Sequence, residues 1–405
     1  MAGAIFESRC LTGATRLLIM QPTAFCNVDC DYCYLPFRND RRIMSHDIVA
    51  AAARFVFEGA LNAPDFTVVW HAGEPLVVSR SWYREAFARI AAVTPPGLTV
   101  PHAIQTNGML IDDAWCDLFL EHGVRVGVSI DGPAFLHDAR RRTRSGGGTH
   151  AAALRGLRKL MQRGVSSRVI CVITDATLPH ARELIAFFHD EGVTDLGFNI
   201  EEVEGANASS SLARPGVIED FRAFFEAVLE SAESANPPLR IREYRNMLAM
   251  LKHPAFGHLN ANSQNMPFAM LTVATGGELF TFSPELAGLS HQGYGDYVIG
   301  RLPQSRLEDV LEEPAFRSML RDIWQGIALC QESCAYFKVC LGGSPVNKMS
   351  ECGSFVATET LACKLANQVM ADVSLERLDG QIPEIKPESK SQIQFGPTVL
   401  KDHGP

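Results

Sequence analysis

Between residues 15 and 235 the chain alternates six times between a short apolar segment and a longer amphipathic segment. Short apolar runs bounded by turn residues are typical of buried strands, and apolar residues recurring every three to four positions are typical of helices. The candidate strands are 15–20, 67–71, 99–106, 124–130, 168–174 and 195–200. The candidate helices are 46–60, 80–92, 112–122, 149–164, 178–190 and 216–234. This alternation predicts the α/β class, with a parallel sheet that is either open or an incomplete barrel.

Polar motifs follow five of the six candidate strands at the point where each strand ends. They are CNVDCDYC after the first strand, HAGEP after the second, QTNG after the third, SIDG after the fourth and NIEEVEG after the sixth. The carboxyl ends of parallel strands meet at one rim of a barrel or sheet, where barrel enzymes keep their active sites. The sequence therefore predicts one site at this rim.

The composition excludes several kinds of partner and location. The formal net charge of −9 over 405 residues argues against nucleic acid or an anionic membrane as the main partner. The first twenty residues lack the apolar stretch and cleavage site of a signal peptide, and no apolar run is long enough to span a membrane. We therefore expect a cytoplasmic protein. In that compartment the 11 cysteines indicate metal or redox sites rather than disulfides.

Changes in composition along the chain predict four segments. The alternating core covers 1–240 and a connector covers 241–270. A smaller domain with Gly-rich turns and a second group of cysteines covers 271–380. Residues 381–405 are rich in Pro, Lys and Ser, which predicts an extended or mobile tail.

The first group of cysteines contains Cys26, Cys30 and Cys33, all within eight residues. A structural zinc ion takes four ligands, usually as two pairs, so three thiolates leave one position open. Thiolates also suit iron–sulfur clusters, and a cubane with three cysteine ligands leaves one iron free for another ligand. The alternative is a structural zinc site that borrows a cysteine from the second group.

The pattern C-x3-C-x2-C followed by Tyr34, placed after the first strand of an α/β chain, resembles the radical SAM superfamily. The resemblance implies a partial (β/α)6 TIM-like barrel and a [4Fe-4S] cluster held by Cys26, Cys30 and Cys33. It also implies that S-adenosylmethionine (SAM) binds the free iron and is cleaved to a 5′-deoxyadenosyl radical. The electron for this cleavage would come from a donor such as flavodoxin or ferredoxin.

Further motifs of this superfamily predict the SAM contacts. HAGEP resembles the Gly-Gly-Glu-Pro segment that contacts the methionine amino group, with alanine in place of the first glycine. SIDG matches a segment from which related enzymes reach SAM, and HDARR contains the arginine of an H-D-x-x-R pattern that holds the SAM carboxylate. The residues that the resemblance assigns to the cofactor are Ala72, Gly73, Glu74, Pro75, Ser129, Asp131 and Arg141.

The second group of cysteines lies in the predicted smaller domain and resembles a SPASM domain. Its members are Cys330, Cys334, Cys340, Cys352 and Cys363. The fuller SPASM pattern has a further cysteine where this chain has Ser344, and residues 276–300 contain none. The resemblance therefore implies one auxiliary [4Fe-4S] cluster, for electron transfer or structural support, on Cys330, Cys334, Cys340 and Cys363. Cys352 is then spare or an alternative ligand, and a zinc ribbon is the alternative to the cluster.

The segments FSPELAG, GGSPVNK and TETLAC resemble radical SAM maturases of GG-repeat precursors. This family forms three-residue cyclophanes, in which the β-carbon of one residue of a precursor peptide joins an aromatic ring two positions earlier. The proton acceptor that this reaction needs has four candidates at the predicted rim, Glu201, Glu202, Glu204 and Glu285.

Other functions remain open at this point. The nearest is sulfatase maturation, in which a Cys or Ser side chain is oxidised to formylglycine and whose enzymes share the QTNG and SxDG segments. Thioether formation and peptide epimerisation are more distant alternatives. A non-catalytic iron–sulfur or zinc scaffold is the alternative from another class.

Overall fold

The structure is a computed structural model that describes residues 11–252 and 262–381. Its strands, in chain order, are β1 (Thr15–Met20), β2 (Val28–Cys30), β3 (Asn62–Trp70), β4 (His102–Thr106), β5 (Arg125–Ser129), β6 (Arg141–Thr143), β7 (Ser167–Ile173), β8 (Asp195–Ile200), β9 (Arg240–Ile241), β10 (Met270–Val273), β11 (Glu278–Thr281) and β12 (Gly300–Arg301). Ten of these described strands form one sheet in the order β12-β11-β10-β1-β3-β4-β5-β7-β8-β9, and β2 pairs separately with β6.

The helices that the structure describes connect and flank these strands. They are α1 (His46–Glu58), α2 (Arg80–Val93), α3 (Asp113–Glu121), α4 (Ala134–Arg140), α5 (His150–Gln162), α6 (Ala181–Asp190), α7 (Val217–Ser234), α8 (Arg242–Lys252), α9 (Leu307–Glu312), α10 (Pro314–Ser333), α11 (Phe337–Cys340), α12 (Pro345–Cys352), α13 (Leu361–Cys363) and α14 (Met370–Gln381). Short 3₁₀ turns cover Pro75–Val77, Asp175–His180 and Pro284–Leu286, and a π-helical segment covers Lys364–Val369. No helix within the described ranges has both the length and the apolar character needed to cross a membrane.

The predicted α/β class with a central parallel sheet is confirmed. Strands β1, β3, β4, β5, β7 and β8 pair in parallel with their neighbours, and a helix follows each of them. The boundaries differ by a few residues where proline intervenes. The last turn before α6 is 3₁₀ rather than α-helical, because Pro179 has no N–H to donate. Strand β4 begins at His102, after Pro101, rather than at residue 99.

Strands β10 to β12 extend the same sheet on the other side of β1. Strand β10 pairs in parallel with β1, in the register Met20 with Val273, and β11 and β12 follow in antiparallel order. Part of the predicted smaller domain therefore belongs to the sheet of the core, and the division into domains stays a prediction. Residues 253–261 of the predicted connector and 382–405 of the predicted tail lie outside the described residues.

A continuous apolar core joins the sheet to its flanking helices. Its fully buried side chains include Trp70, Phe188 and Phe225 from the alternating units and Phe268 and Phe316 from the C-terminal part. The rings of Phe268 and Phe316 meet edge to face with their centroids 5.6 Å apart. This contact packs α10 against the segment leading into β10 and so helps to fix the C-terminal helices relative to the rim.

Candidate active site

A cavity of about 530 Å³ opens at the carboxyl ends of the parallel strands. Each of the five polar motifs contributes to its wall. The residues of these motifs that line the cavity are Cys26, Val28, Cys30, Tyr32, Cys33, His71, Gly73, Glu74, Gln105, Thr106, Asn107, Ser129, Asn199, Ile200, Glu201, Glu202 and Glu204. Later parts of the chain add Glu285, Ser344 and Met370. The cavity therefore joins the rim of the sheet to the C-terminal helices.

The three thiols of the first cysteine group lie in the loop that follows β1. Cys30 ends β2 and pairs with Arg141 of β6, which brings Arg141 Nη1 within 3.9 Å of Cys30 Sγ. Arg144 anchors the same loop, because its Nε donates to the carbonyl oxygen of Cys26 at 2.7 Å. The small β2–β6 sheet thus places a guanidinium group beside the thiols.

The donor set of this loop fits an iron–sulfur cluster with three protein ligands. Three sulfur atoms face one cavity, and no fourth cysteine is among the described residues that line it. Burial, with help from Glu74, raises the pKa of Cys26 to about 12, and burial raises the pKa of Cys30 to about 11. Ligation requires thiolates, so cluster assembly must release these protons. Within the described residues, no three Cys, His, Asp or Glu side chains are arranged around a single metal ion.

Glu74 is buried in the cavity wall and ties the ends of two strands together. Its Oε1 accepts from Leu76 N at 2.9 Å and from Thr106 Oγ1 at 2.7 Å, and its Oε2 accepts from Asn107 N at 2.8 Å. Burial raises the pKa of this carboxyl group. Since both oxygens already accept hydrogen bonds, Glu74 holds the loops after β3 and β4 in a fixed relation.

The backbone before Glu74 has an unusual conformation at two consecutive residues. Ala72 has φ 67° and Gly73 has φ 102°. A Cβ atom at Gly73 would lie 2.2 Å from the carbonyl oxygen of Thr23, so only glycine fits there. Ala72 is an L-residue held in the left-handed region, which costs about 1–2 kcal/mol.

We therefore expect Ala72→Gly to raise the free energy of unfolding by roughly 0.5–1 kcal/mol, after allowing for the greater freedom of glycine in the unfolded chain. Urea unfolding of the metal-free protein would measure this. Ala103→Gly is the matched control, because Ala103 is buried in β4, where glycine weakens a strand. Equal destabilisation by both substitutions would contradict the strain at Ala72.

Asp131 is the centre of a buried network that fixes Arg141. It accepts from Arg141 Nε at 2.8 Å and Nη2 at 3.2 Å, from Val172 N at 3.0 Å, and from the Tyr32 hydroxyl. Although burial opposes ionisation, the Arg141 charge lowers the pKa of Asp131. Arg141 lines the cavity, whereas Asp131 is not among the residues that do. The structure therefore places Asp131 behind Arg141.

The other residues predicted to contact the cofactor divide in the same way. Gly73, Glu74 and Ser129 line the cavity, whereas Ala72 and Pro75 are not among its lining residues. Ser129 Oγ accepts from Gln105 Nε2 at 2.9 Å, which joins the ends of β4 and β5. The predicted cofactor residues that line the cavity thus offer glycine backbone, one carboxylate, one hydroxyl and one guanidinium group on the wall that also holds the thiols.

His137 and Thr149 support this wall and were not predicted from the sequence. The backbone N–H of Asp131 donates to His137 Nδ1 at 3.2 Å, and His137 Nε2 lies 3.0 Å from Thr149 Oγ1. Thr149 Oγ1 in turn donates to the carbonyl oxygen of Arg141 at 2.7 Å. Burial lowers the pKa of His137 to about 4, so the ring is neutral. Because its Nδ1 accepts a hydrogen bond, the proton belongs on Nε2. His137 is the first residue of the H-D-x-x-R pattern, but only the arginine of that pattern, Arg141, was assigned a function from the sequence.

The far wall of the cavity carries the acidic candidates, which have different environments. Glu201 Oε2 accepts from the backbone N–H of Ser211 at 2.8 Å and from its hydroxyl group. Glu204 shares a hydrogen bond with Glu202, and its Oε1 accepts from Asn347 Nδ2 of α12 at 2.9 Å. Burial and the nearby carboxylates raise the pKa of Glu204 well above its ordinary value.

Glu285 differs from these groups because one of its oxygens, Oε2, is both buried and without a hydrogen-bond partner among the described residues. Burial, together with the charge of Glu202, raises the pKa of Glu285 to about 8. Across the same cavity Tyr34 Oη lies 3.0 Å from Nε2 of His71, whose pKa burial lowers to about 4. Glu285 is thus the carboxyl group best placed to exchange a proton with a bound molecule.

The second cysteine group surrounds a separate, smaller pocket. The four thiols in its wall are those of Cys330, Cys334, Cys340 and Cys363. Cys352 is exposed and is not among the lining residues. Ser344 accepts from Asn347 N at 3.4 Å and caps α12. Four cysteines are the ligand set of a fully ligated cluster and of a structural zinc ion, although the described residues include no three such side chains arranged around a single metal ion.

If these four thiols bind one cluster, Cys363→Ala should lower the iron and sulfide content of the protein, and Cys352→Ala should leave both unchanged. The test uses chain in which Cys26, Cys30 and Cys33 are also replaced by alanine, so that iron of the first cluster is absent. Zinc at full occupancy without iron would support the zinc ribbon instead.

Comparisons with known proteins agree with this geometry. The family model described as the Radical SAM superfamily matches residues 20–188. The uncharacterized protein sll1766 of Synechocystis is 38% identical over 371 residues, which cover 91% of this chain and 93% of that protein. The serine-type anaerobic sulfatase-maturating enzyme of Klebsiella aerogenes is 34% identical over 193 residues, which cover 47% of each chain.

Two solved structures share the fold over most of the chain. The structure of anSMEcpe with bound AdoMet and Cp18Cys peptide superimposes with a TM-score of 0.72 at 18% identity, covering 90% of this chain and 98% of that one. SuiB of Streptococcus suis bound to precursor peptide SuiA gives a TM-score of 0.63 at 16% identity, covering 89% and 79%. At such low identities the likeness establishes the fold alone.

Proposed function

The chain belongs to the radical SAM superfamily, and on this premise we propose that it forms three-residue cyclophanes in a ribosomally made peptide. It is an enzyme that uses a [4Fe-4S] cluster and SAM. The observation that carries the proposal is the extent of the cavity, which runs from the three thiols to the FSPEL turn and to Ser344, the residue that caps helix α12. Two of the three segments that resemble the cyclophane-forming family, FSPELAG and GGSPVNK, thus contribute to the same cavity as the cluster loop, whereas TETLAC lines the pocket of the second cysteine group.

We assign the cofactors to the wall nearest the thiols. Cys26, Cys30 and Cys33 would hold the cluster, and Gly73, Glu74, Ser129 and Arg141 would contact SAM. When bound, the cluster and SAM supply a 5′-deoxyadenosyl radical. The chain positions this cofactor through the Asp131–Arg141 pair and through the loops that Glu74 holds together.

The opposite wall would hold the peptide. With the cofactors bound, the β-carbon of one peptide residue would lose a hydrogen atom to the radical that they supply, and that carbon would then bond to an aromatic ring two positions earlier. The ring becomes aromatic again by losing one electron and one proton, so the peptide loses two hydrogens in all. We propose that Glu285 takes the proton, and the electron passes to a one-electron acceptor such as an iron–sulfur cluster or a flavodoxin.

Formylglycine formation is a second candidate, favoured by the identity with the sulfatase-maturating enzyme of Klebsiella aerogenes. That alignment covers less than half of either chain. Enzymes of that kind generally carry two auxiliary clusters, whereas residues 276–300 of this chain contain no cysteine. Cyclophane formation is therefore the function that we prefer.

Tandem mass spectrometry of the peptide product distinguishes these functions. The enzyme is co-expressed under low oxygen with the small peptides encoded beside its gene, and a Cys30→Ala variant serves as the inactive control. Loss of two hydrogens, with no fragments between an aromatic residue and the residue two positions later, is the expected result. A product that fragments fully and reacts with a carbonyl-trapping reagent would establish formylglycine instead. No change in peptide mass, despite SAM cleavage, would overturn both proposals for these peptides.

A further inference from the structure

Lys348 is a buried lysine directed at the second cysteine group. Its side chain is only 4% exposed. Its Nζ donates to the carbonyl oxygen of Gly326 at 2.9 Å and to Cys330 Sγ at 3.2 Å. In the part of the chain that the structure describes, no carboxylate lies within ion-pair distance of this ammonium group.

A buried ammonium group without a counter-charge is unfavourable, because it loses the hydration of its charge. The wall of the pocket that Lys348 lines contains four thiols and Glu359, whose carboxylate pairs with Lys364 at 3.3 Å rather than with Lys348. Four thiolates around a [4Fe-4S] core with a charge of +2 would have a net charge of −2. Such a group would supply the negative charge that Lys348 otherwise lacks.

The turn after Cys340 adds further hydrogen-bond donors to the pocket. Gly342 and Gly343 have φ 95° and 69°, and their backbone N–H groups lie against Cys340. Successive N–H groups in such a turn form a concave site for an anion. The pocket therefore offers hydrogen-bond donors to the sulfur of Cys330 and to that of Cys340.

We propose that Lys348 is a positioning residue of the auxiliary cluster, which holds Cys330 in place and raises the reduction potential of the cluster. This inference rests on the proposed binding of an iron–sulfur cluster by Cys330, Cys334, Cys340 and Cys363. Reduction adds one negative charge, so a nearby cation and an N–H···S hydrogen bond favour the reduced state. A lysine that only supported the carbonyl group of Gly326 would have no such effect.

The test is a redox titration followed by electron paramagnetic resonance. It uses full-length chain in which Cys26, Cys30 and Cys33 are replaced by alanine, so that the signal of the second site is observed alone. Lys348→Met and Lys348→Arg are compared with Lys338→Met. Lys338 is the matched control, because it is exposed and lies two positions before Cys340, so its replacement removes the same charge.

We expect Lys348→Met to lower the equilibrium constant for reduction about tenfold, equivalent to 59 mV for a one-electron couple. Lys348→Arg should retain most of the potential, and Lys338→Met should change it little. Equal potentials in Lys348→Met and the parent would overturn the proposal. If Lys348→Met does not assemble a cluster, Lys348→Arg alone decides. Because arginine keeps the charge, a reduction potential in Lys348→Arg that lies 59 mV or more below that of the parent would also overturn the proposal.

The outcome is independent of the peptide product. A parent chain with zinc or no iron at the second site would overturn the inference and the auxiliary cluster together, whatever the peptide assay shows. If Lys348→Met shows the expected decrease in reduction potential but the parent enzyme forms no crosslinked peptide, the inference is upheld and the proposed reaction is overturned. The two proposals can therefore fail separately.

Discussion

Cys30→Ala is expected to abolish reductive cleavage of SAM. Cys30 ends β2, faces the large cavity and lies beside Arg141, so its sulfur cannot be replaced by a neighbouring cysteine without moving the loop. A cluster with two protein ligands would be lost or unstable. The expected result is loss of the iron that the first site binds and of all 5′-deoxyadenosine formation. Iron analysis and chromatography of the SAM products measure these two effects.

The control for this substitution is Cys352→Ala, which removes an exposed cysteine outside both pockets. We expect it to retain the iron content and the SAM cleavage of the parent chain. Unfolding curves of the metal-free proteins must coincide, since an unfolded Cys30→Ala chain would also fail to cleave SAM. SAM cleavage by a folded Cys30→Ala chain at the parent rate would contradict the assignment of Cys30 as a cluster ligand.

The alternating core was predictable because its signals are local. Each strand is marked by a short apolar run, and each helix by apolar residues that recur every three to four positions. Neither signal depends on a residue far away in the chain. The parallel order then brings the five polar motifs to one rim without further information. This is why the sequence could predict which loops share a cavity, as the structure now places them.

Long-range pairing could not be predicted in the same way. Nothing in the apolar pattern of β10 specifies that it pairs with β1, some 250 residues earlier in the chain. The role of Asp131 was also hidden, because a motif match cannot distinguish a residue that touches the cofactor from one that orients Arg141. Likewise, four glutamates near the rim looked equivalent, and only their hydrogen bonds separate Glu285 from the others.

Glu285→Gln is expected to lower the rate of peptide crosslinking by about 10²–10⁴-fold, the usual contribution of a general base. SAM cleavage should continue, because Glu285 is not among the groups that we assign to the cluster or to SAM.

The rate of crosslinking by the parent enzyme should also depend on pH. With a pKa of about 8, Glu285 is mostly protonated at pH 6 and cannot accept a proton, so crosslinking should rise with pH and level off above about 8.

The matched control is Glu332→Gln, which makes the same change at an exposed position outside the cavity. It should keep both the rate and the pH profile of the parent. Crosslinked and uncrosslinked peptide are quantified by mass spectrometry, and 5′-deoxyadenosine is measured in the same samples to confirm that radical formation continues. A Glu285→Gln enzyme with an unchanged crosslinking rate would exclude Glu285 as the proton acceptor. Glu204, whose pKa burial and the nearby carboxylates raise, would then be the next candidate on the far wall, and its replacement would be the next test.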